Sequence, residues 1–444
     1  MRPPSYKAVV DEFAAAIRSG TLPAGSRLPT HRALARERRI ALATATRVYA
    51  ELAAMGLVVG ETGRGTFVRE QAGYDGLEPS RALPVPRVAD LSFNQPLAAG
   101  QEALLRQALR ALAATGDAEA LLYQHPPGGR RSDRAAVATY LLDRGIDTAP
   151  QDVVLTGGTQ QALDVVLRAL TRPGDVLAVD ALGYPGIKLL ASAHGLELAP
   201  VPVTATGPDL DALDRLCRDR PVRAVYTMPT VHNPLGWVLD REARDRLVAV
   251  AGTRDCLIVE DGTYAFLDPS PPPPLRALAP ERTCYVAGLS KNVAPGLRFG
   301  FAVLPGRHVE PVTRSLRAAA RGAPGLVTAL ATGWLSDGTV TRLERDRRED
   351  AAARQGIARA ALAGMDVTAH PSAYTVWLGL EPHQRPDHVA AALAGAGILV
   401  STADAFATGP HRPRALRLAL ATPPVGRLRE VLHRLRDTIE AIPP

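Results

Sequence analysis

From about residue 150 onward the chain alternates short, continuously apolar runs with helical stretches, and this alternation constrains the fold more than any other feature. The runs at 153–155, 176–179, 224–227, 257–259, 284–286 and 299–303 predict strands. Strands that are apolar on both faces must be covered on both faces, which implies a largely parallel sheet between helical layers. Open sheets of this kind place ligands beyond the C-terminal ends of their strands. Polar residues directly after each run are therefore the first candidates for chemistry.

The first seventy residues differ. They carry eleven Lys/Arg against six Asp/Glu, a net +5 of the whole-chain +7. A small basic head on a near-neutral body suggests a polyanion-binding module. Residues 5–19 read as an amphipathic helix with Val9, Val10, Phe13, Ala14 and Ile17 on one face. Gly20 and Pro23-Ala24-Gly25 end it, and Thr30 is placed to cap a second helix. A third helix spans 41–55 with Ala45, Tyr49 and Leu52 inward, and residues 57–68 read as a two-stranded hairpin. Residues 70–89 hold three prolines, two glycines and no period, and are taken as a linker. Domain boundaries follow: a head over 1–69, the linker over 70–89, and a body over 90–444. The run Ser270-Pro271-Pro272-Pro273-Pro274 reads as a surface loop with no need of a ligand role.

At 444 residues and 46% apolar, the chain accommodates two domains, one of them large. No stretch has the eighteen or so apolar residues of a membrane helix, and the Met1–Tyr6 start lacks the apolar run of a secretory signal. Cys217, Cys256 and Cys284 have no metal-ligand spacing, so reduced thiols, no metal and a cytoplasmic setting are expected.

Lysine occurs only at Lys7, Lys188 and Lys291, against 49 arginines. Guanidinium cannot form an imine, so a catalytic lysine is the one cation that arginine could not replace. Lys291 closes Gly288-Leu289-Ser290-Lys291 after a strand, and Arg298 follows Pro295-Gly296-Leu297. Asp261 ends an apolar strand, where a carboxylate is costly without a cationic partner. Tyr226 to Gly236 supplies Asn233. Thr156-Gly157-Gly158-Thr159-Gln160-Gln161 leaves a strand and opens a helix, which makes a phosphate cup. Tyr184, beside Pro185, offers an aromatic face. An imine-forming lysine, a carboxylate for a pyridinium nitrogen, a phosphate cup with a cation, a hydrogen-bonding amide and a stacking ring are what a pyridoxal 5'-phosphate site requires.

In this order the elements resemble the fold-type I aminotransferases over residues 90–444. The resemblance implies that Lys291 forms the imine and that Asp261 pairs with the pyridine nitrogen. Asn233 and Tyr264 would hold the ring oxygen, and Tyr184 would stack on the ring. Gly158, Thr159, Gln160, Ser290 and Arg298 would hold the phosphate, and Arg417, in Leu416-Arg417-Leu418-Ala419, a substrate α-carboxylate. Tyr123 would reach the neighbouring subunit's phosphate, which implies a homodimer. Gly288 departs from the pattern, because relatives usually place Ser or Thr three before the lysine to bind the phosphate; Thr159 and the helix amides are left to compensate.

The head resembles the GntR-type winged helix-turn-helix, an α+β unit, through Gly25 to Ala35, Arg47 to Leu57 and Gly63 to Val68. That resemblance implies DNA contacts by Arg32, Thr44, Arg47, Arg64 and Gly65. Many relatives open the third helix with Ser-Arg where this chain has Ala41-Leu42, which leaves Arg38 and Arg39 as substitutes for phosphate contact. Together the parts resemble the MocR family of transcriptional regulators. The family implies a cytoplasmic, dimeric, operator-binding protein whose body takes pyridoxal 5'-phosphate and senses an amine, amino acid or B6 vitamer. The alternative is an amino-acid aminotransferase with an accessory DNA-binding head.

Overall fold

The computed structural model describes residues 6–18, 21–23, 26–54, 57–61, 65–68, 88–96, 100–114, 119–320 and 322–443. Arg64, most of the linker (70–87) and the breakers Gly20, Ala24 and Gly25 lie outside the described residues.

The head folds as the pattern predicts. Helices α1 (Tyr6–Arg18), α2 (His31–Arg38) and α3 (Leu42–Ala54) precede an antiparallel pair, β1 (Val58–Glu61) and β2 (Gly65–Val68). The apolar face of α1 (Val9, Val10, Phe13, Ala14, Ile17) packs with Leu34, Ala45, Val48, Tyr49 and Leu52 into one core. Burying each of these larger side chains contributes ~1.5–3 kcal/mol. The Thr30 hydroxyl accepts from the Ala33 amide at 3.2 Å, which caps α2. Arg39 ends that helix in the left-handed conformation (φ 53°).

In the body, β3 (Ala89–Asp90) pairs with residues near the C-terminus, so the chain leaving the linker is tied into the fold at once. After helices α4 (Gln101–Ala114) and α5 (Arg131–Leu142) come β4 (Val153–Thr156), helix α6 (Thr159–Leu170), β5 (Val176–Asp180), β6 (Glu197–Val201), β7 (Val222–Thr227), β8 (Leu257–Asp261), β9 (Thr283–Gly288) and β10 (Gly300–Val303). These seven strands form one sheet in the order β4-β10-β9-β8-β7-β5-β6, with only β10 antiparallel to its neighbours. Val154, Leu163, Val179 and Val259 fill a core on one face; Leu155, Phe301 and Val303 lie in another on the opposite face. All six expected strands are present. β6 was not foreseen, because as an edge strand it is half-exposed and carries Pro200, whose missing amide an edge tolerates.

A second, four-stranded antiparallel sheet joins β11 (Val367–Thr368), β12 (Thr375–Gly379), β14 (Ser401–Thr402) and β15 (Ala415–Ala419), while β13 (Ile398–Leu399) holds β3. Arg417 lies on β15 opposite Trp377 and Ser401. Head and body meet at Arg385, which precedes the helix Pro386–Gly395 and reaches Asp11 at 3.1 Å and Glu51 at 3.8 Å. No helix among the described residues is long and apolar enough to cross a membrane.

Candidate functional site

Three strand ends and one helix start converge on a cavity of about 120 Å³. The apolar run of β8 ends in Asp261, which is 2% exposed. Its carboxylate accepts from the Tyr226 hydroxyl on neighbouring β7 at 3.0 Å and from the Thr263 amide at 2.9 Å. Burial pushes the Asp261 carboxyl above its usual range, against the opposing hydrogen bonds from Thr263 and Tyr226. It makes no ion pair among the described residues, so the cavity presents a buried carboxylate that lacks a cation.

Lys291, on the turn after β9, is half-buried and lines the same cavity. Its Nζ donates to the Asn94 carbonyl oxygen at 2.9 Å and stands 4.3 Å over the Phe93 ring. Burial, with Arg298 adding repulsion, lowers its pKa to about 8. A good fraction of this amine is therefore neutral, and so nucleophilic, near physiological pH.

Helix α6 begins at the cavity. Gly158 precedes it at φ 113°, and a Cβ there would come within 2.8 Å of an Arg298 guanidinium nitrogen. The unsatisfied amides of the first turn and this guanidinium thus meet at one point, an anion cradle. Thr159, Gln160 and Ser290 line the cavity beside it. Asn233 and Gln160 each bury a side-chain oxygen with no hydrogen-bond partner among the described residues. Orphaned polar atoms of this kind are expensive unless a ligand satisfies them. Burial raises the Tyr184 phenol to about 12, with Asp261 adding to the effect, and raises Tyr264 as well.

All the cofactor residues expected from the sequence line this cavity except Gly158, which abuts Arg298, and Tyr123. Tyr123 is 68% exposed and donates to Glu119, away from the cavity of its own chain. Arg417 is fully buried; one Nη donates to the Ser92 carbonyl at 2.7 Å, and its guanidinium carbon lies 4.9 Å from the Phe406 ring centre. Burial lowers its pKa to about 9. Sequence reasoning missed Phe93, Asn94, Tyr226, Met228, Thr263 and Pro295. Tyr226 was detectable as the aromatic one strand away from Asp261, but nothing local marks Phe93 or Asn94.

The Gly288 departure has a packing cause. A Cβ there would stand 2.7 Å from the Phe299 carbonyl oxygen and 2.9 Å from the Thr159 hydroxyl. Thr159 therefore brings a hydroxyl to the space that a serine or threonine at 288 would use.

In the head, Arg32 and Arg47 are exposed and Thr44 is half-buried. The Arg47 guanidinium lies 4.2 Å over the Tyr6 ring, and Gly65 packs against Arg27 at φ 119°. Arg38 is tied to Glu12 at 2.5 Å, which leaves Arg39 the more accessible of the two substitutes considered for phosphate contact.

The fold and cavity define a fold-type I body of the pyridoxal-phosphate-dependent kind beneath a winged helix-turn-helix head. The family model for aminotransferase class I and II matches residues 86–435, and that for bacterial regulatory proteins of the gntR family matches residues 5–68. The chain belongs to the aminotransferase class I and II family and carries a gntR-family head, the architecture of the MocR-type regulators. It is 26% identical over 424 residues to the uncharacterized HTH-type transcriptional regulator YdeF of Bacillus subtilis, covering 95% of this chain and 91% of that one. It is 29% identical to the probable rhizopine catabolism regulatory protein MocR of Rhizobium meliloti, over 78% and 74% of the two chains. Among solved structures, LysN, an α-aminoadipate aminotransferase of Thermus thermophilus complexed with N-(5'-phosphopyridoxyl)-L-leucine, superposes with a TM-score of 0.72. That match is 26% identical and covers 80% of this chain and 92% of the other.

Proposed function

We propose that the chain is a DNA-binding transcriptional regulator whose body holds pyridoxal 5'-phosphate and responds to an amine, amino acid or B6 vitamer. The observation that supports the reading is a cavity lined by Lys291, Asp261, Asn233 and Arg298 in the same chain as a basic winged helix-turn-helix head. The cofactor, when bound, supplies an electrophilic carbon for amines and a ring that accepts electrons. The residues fit it: Lys291 offers the neutral amine, and Asp261 offers the buried carboxylate for the ring nitrogen. Asn233 and Tyr264 would face the ring oxygen, and Tyr184 its plane. The start of α6 with Gly158, Thr159, Gln160, Ser290 and Arg298 would take the phosphate.

A ligand amine that displaced Lys291 from the cofactor would free the lysine amine to make the contacts with Asn94 and Phe93 described above. A ligand carboxylate would pair with Arg417, whose burial disfavours its charge. Arg417 and Ser401 both donate to the Ser92 carbonyl, next to Phe93 and Asn94, so the two changes meet on one segment. That segment leads from the linker, and Arg385 carries a direct contact to Asp11 and Glu51 of the head. A ligand that favours one arrangement of these contacts shifts the head between states of different DNA affinity. Arg32, Thr44, Arg47, Arg64 and Gly65 form the DNA surface in this reading. The protein acts in the cytoplasm as a homodimer in which Tyr123 reaches the partner's phosphate site. The exposure of Tyr123 and of Leu122 (86%) favours a covered face there.

The test is a mobility shift on the DNA upstream of its own gene, with scrambled DNA as control, across a salt series and with candidate amino acids. Selective binding that weakens steeply with salt and changes with a ligand supports regulation. A second reading, amino-acid transamination, is favoured by the lowered pKa of Lys291, since an amine that gains and loses a proton at about pH 8 is also a proton carrier. Sustained turnover with an amino acid and a 2-oxo acid, without any effect on DNA binding, would favour that reading.

A further inference from the structure

Glu260 and Asp261 are consecutive on β8, so their side chains leave the sheet on opposite faces. Asp261 enters the cofactor cavity. Glu260 enters a second cavity of about 200 Å³, larger than the first. Its register partner on β9 is Tyr285, which projects beside it and is 2% exposed. The Tyr285 hydroxyl lines this cavity and has no hydrogen-bond partner among the described residues. It lies against the bare Cα of Gly262, where a methyl group would collide with it.

The lining is acidic in balance. Glu344 is neutralised by Arg144 at 2.5 Å, and Asp261 belongs to the cofactor side. Asp143, Glu260 and Asp268 remain, faced by Arg348, which donates to the Phe266 carbonyl at 2.9 Å. Glu260 already accepts from the Leu275 and Arg276 amides at 3.1 and 2.8 Å and feels the Arg244 and Arg276 charges, so a ligand meets the remaining lone pairs of its carboxylate. Carbon is supplied by Phe266 and by Pro269, Pro271 and Pro272 of the proline-rich loop, which read from sequence as surface only. The geometry points to a second ligand site here, on the face of the sheet opposite the cofactor, that takes a small organic ammonium ion.

The charge meets Glu260 and Asp268, the Tyr285 hydroxyl gains a partner, and the prolines cover the alkyl groups. Burial pushes the Glu260 carboxyl up to about 7 even against the Arg276 and Leu275 amides and the Arg244 and Arg276 charges, and an ammonium beside it would relieve the cost that is left.

This site touches the cofactor cavity at two points. The turn behind Tyr285 is Gly262, whose amide donates to Val286 between Asp261 and Thr263. On the other side, Asn292, next to Lys291, donates to Glu344 at 2.6 Å and to Tyr140 at 3.2 Å. Occupancy therefore bears on both Asp261 and Lys291. This coupling rests on the proposed cofactor reading; the site itself does not.

Trimethylammonium is a suitable probe, because it is charged, carries one N–H and cannot form an imine. Saturation-transfer NMR of trimethylammonium chloride with the full chain, against potassium chloride at matched ionic strength, reads binding directly. Saturable binding is expected in the natural chain and in Lys291→Ala, weakened about tenfold in Glu260→Gln and clearly in Tyr285→Phe and Asp268→Asn. No saturable binding, equal binding in all three cavity variants, or loss of binding in Lys291→Ala would overturn the site. In chain loaded with pyridoxal phosphate, the probe should also shift the cofactor's visible absorption. Binding without any chromophore would leave the site standing and count against the cofactor reading alone.

Discussion

The Thr159 hydroxyl stands 2.9 Å from where the first side-chain atom of any residue at Gly288 would lie. With the Phe299 carbonyl only 2.7 Å from the same point, the glycine is a packing requirement of the cradle. Gly288→Ala should destabilise the body by ~1–3 kcal/mol through overpacking, read as a lowered denaturant midpoint. Thr159→Ala should leave stability nearly unchanged and weaken cofactor binding, measured by titrating apo-protein with pyridoxal phosphate.

Attachment of the cofactor to Lys291 should depend on pH with a midpoint near 8, because burial and Arg298 hold the amine there. Below that pH the amine is protonated and attachment slows; above it the rate levels off. The same shift bears on apo-protein stability. A lysine with a depressed folded-state pKa binds fewer protons folded than unfolded, so stability should rise as pH climbs from about 8 toward the ordinary lysine value. Stopped-flow absorbance across pH tests the first point, and a midpoint above pH 10 would contradict it.

Tyr226→Phe removes one of the hydrogen bonds to the buried Asp261 carboxylate. A bond to a charged acceptor contributes about 1.5–3 kcal/mol, so cofactor affinity should fall roughly tenfold or more while the fold survives. Equilibrium dialysis of the cofactor against wild type and variant decides it.

Arg417 should distinguish ligands that carry a carboxylate from those that do not. Arg417→Gln is expected to abolish the spectral response to amino acids while keeping that to simple amines. Equal loss of both would assign Arg417 to the small sheet's packing alone.

In the head, Arg32→Ala and Arg47→Ala should each weaken DNA binding. Each removed phosphate contact should also reduce the slope of log affinity against log salt by about 1. Arg38→Ala should have the smaller effect, since Glu12 already holds that side chain.

Much of this site was legible because its chemistry sits at strand ends. Asp261 closes an apolar run, Lys291 follows one, and Gly158 with Thr159 links a strand to a helix, so each is marked by a change of pattern. Phe93 and Asn94 carry no such mark: they meet Lys291 from almost two hundred residues away, just beyond an aperiodic linker. β6 escaped notice because an edge strand need not be apolar on both faces, and Pro200 reads as a breaker. The small sheet was missed for a related reason, since β11 and β14 are two residues each and too short to show a period.

In the proposed reading, one chain couples ligand chemistry at Lys291 to DNA binding by the head. The direct measurement is fluorescence anisotropy of the DNA upstream of its own gene with cofactor-loaded protein, with and without amino acids and amines, for the natural chain and Lys291→Ala. A ligand-dependent change in affinity that Lys291→Ala abolishes is expected, with scrambled DNA bound far more weakly. Identical affinity with and without every ligand, or the same ligand response in Lys291→Ala, would contradict it.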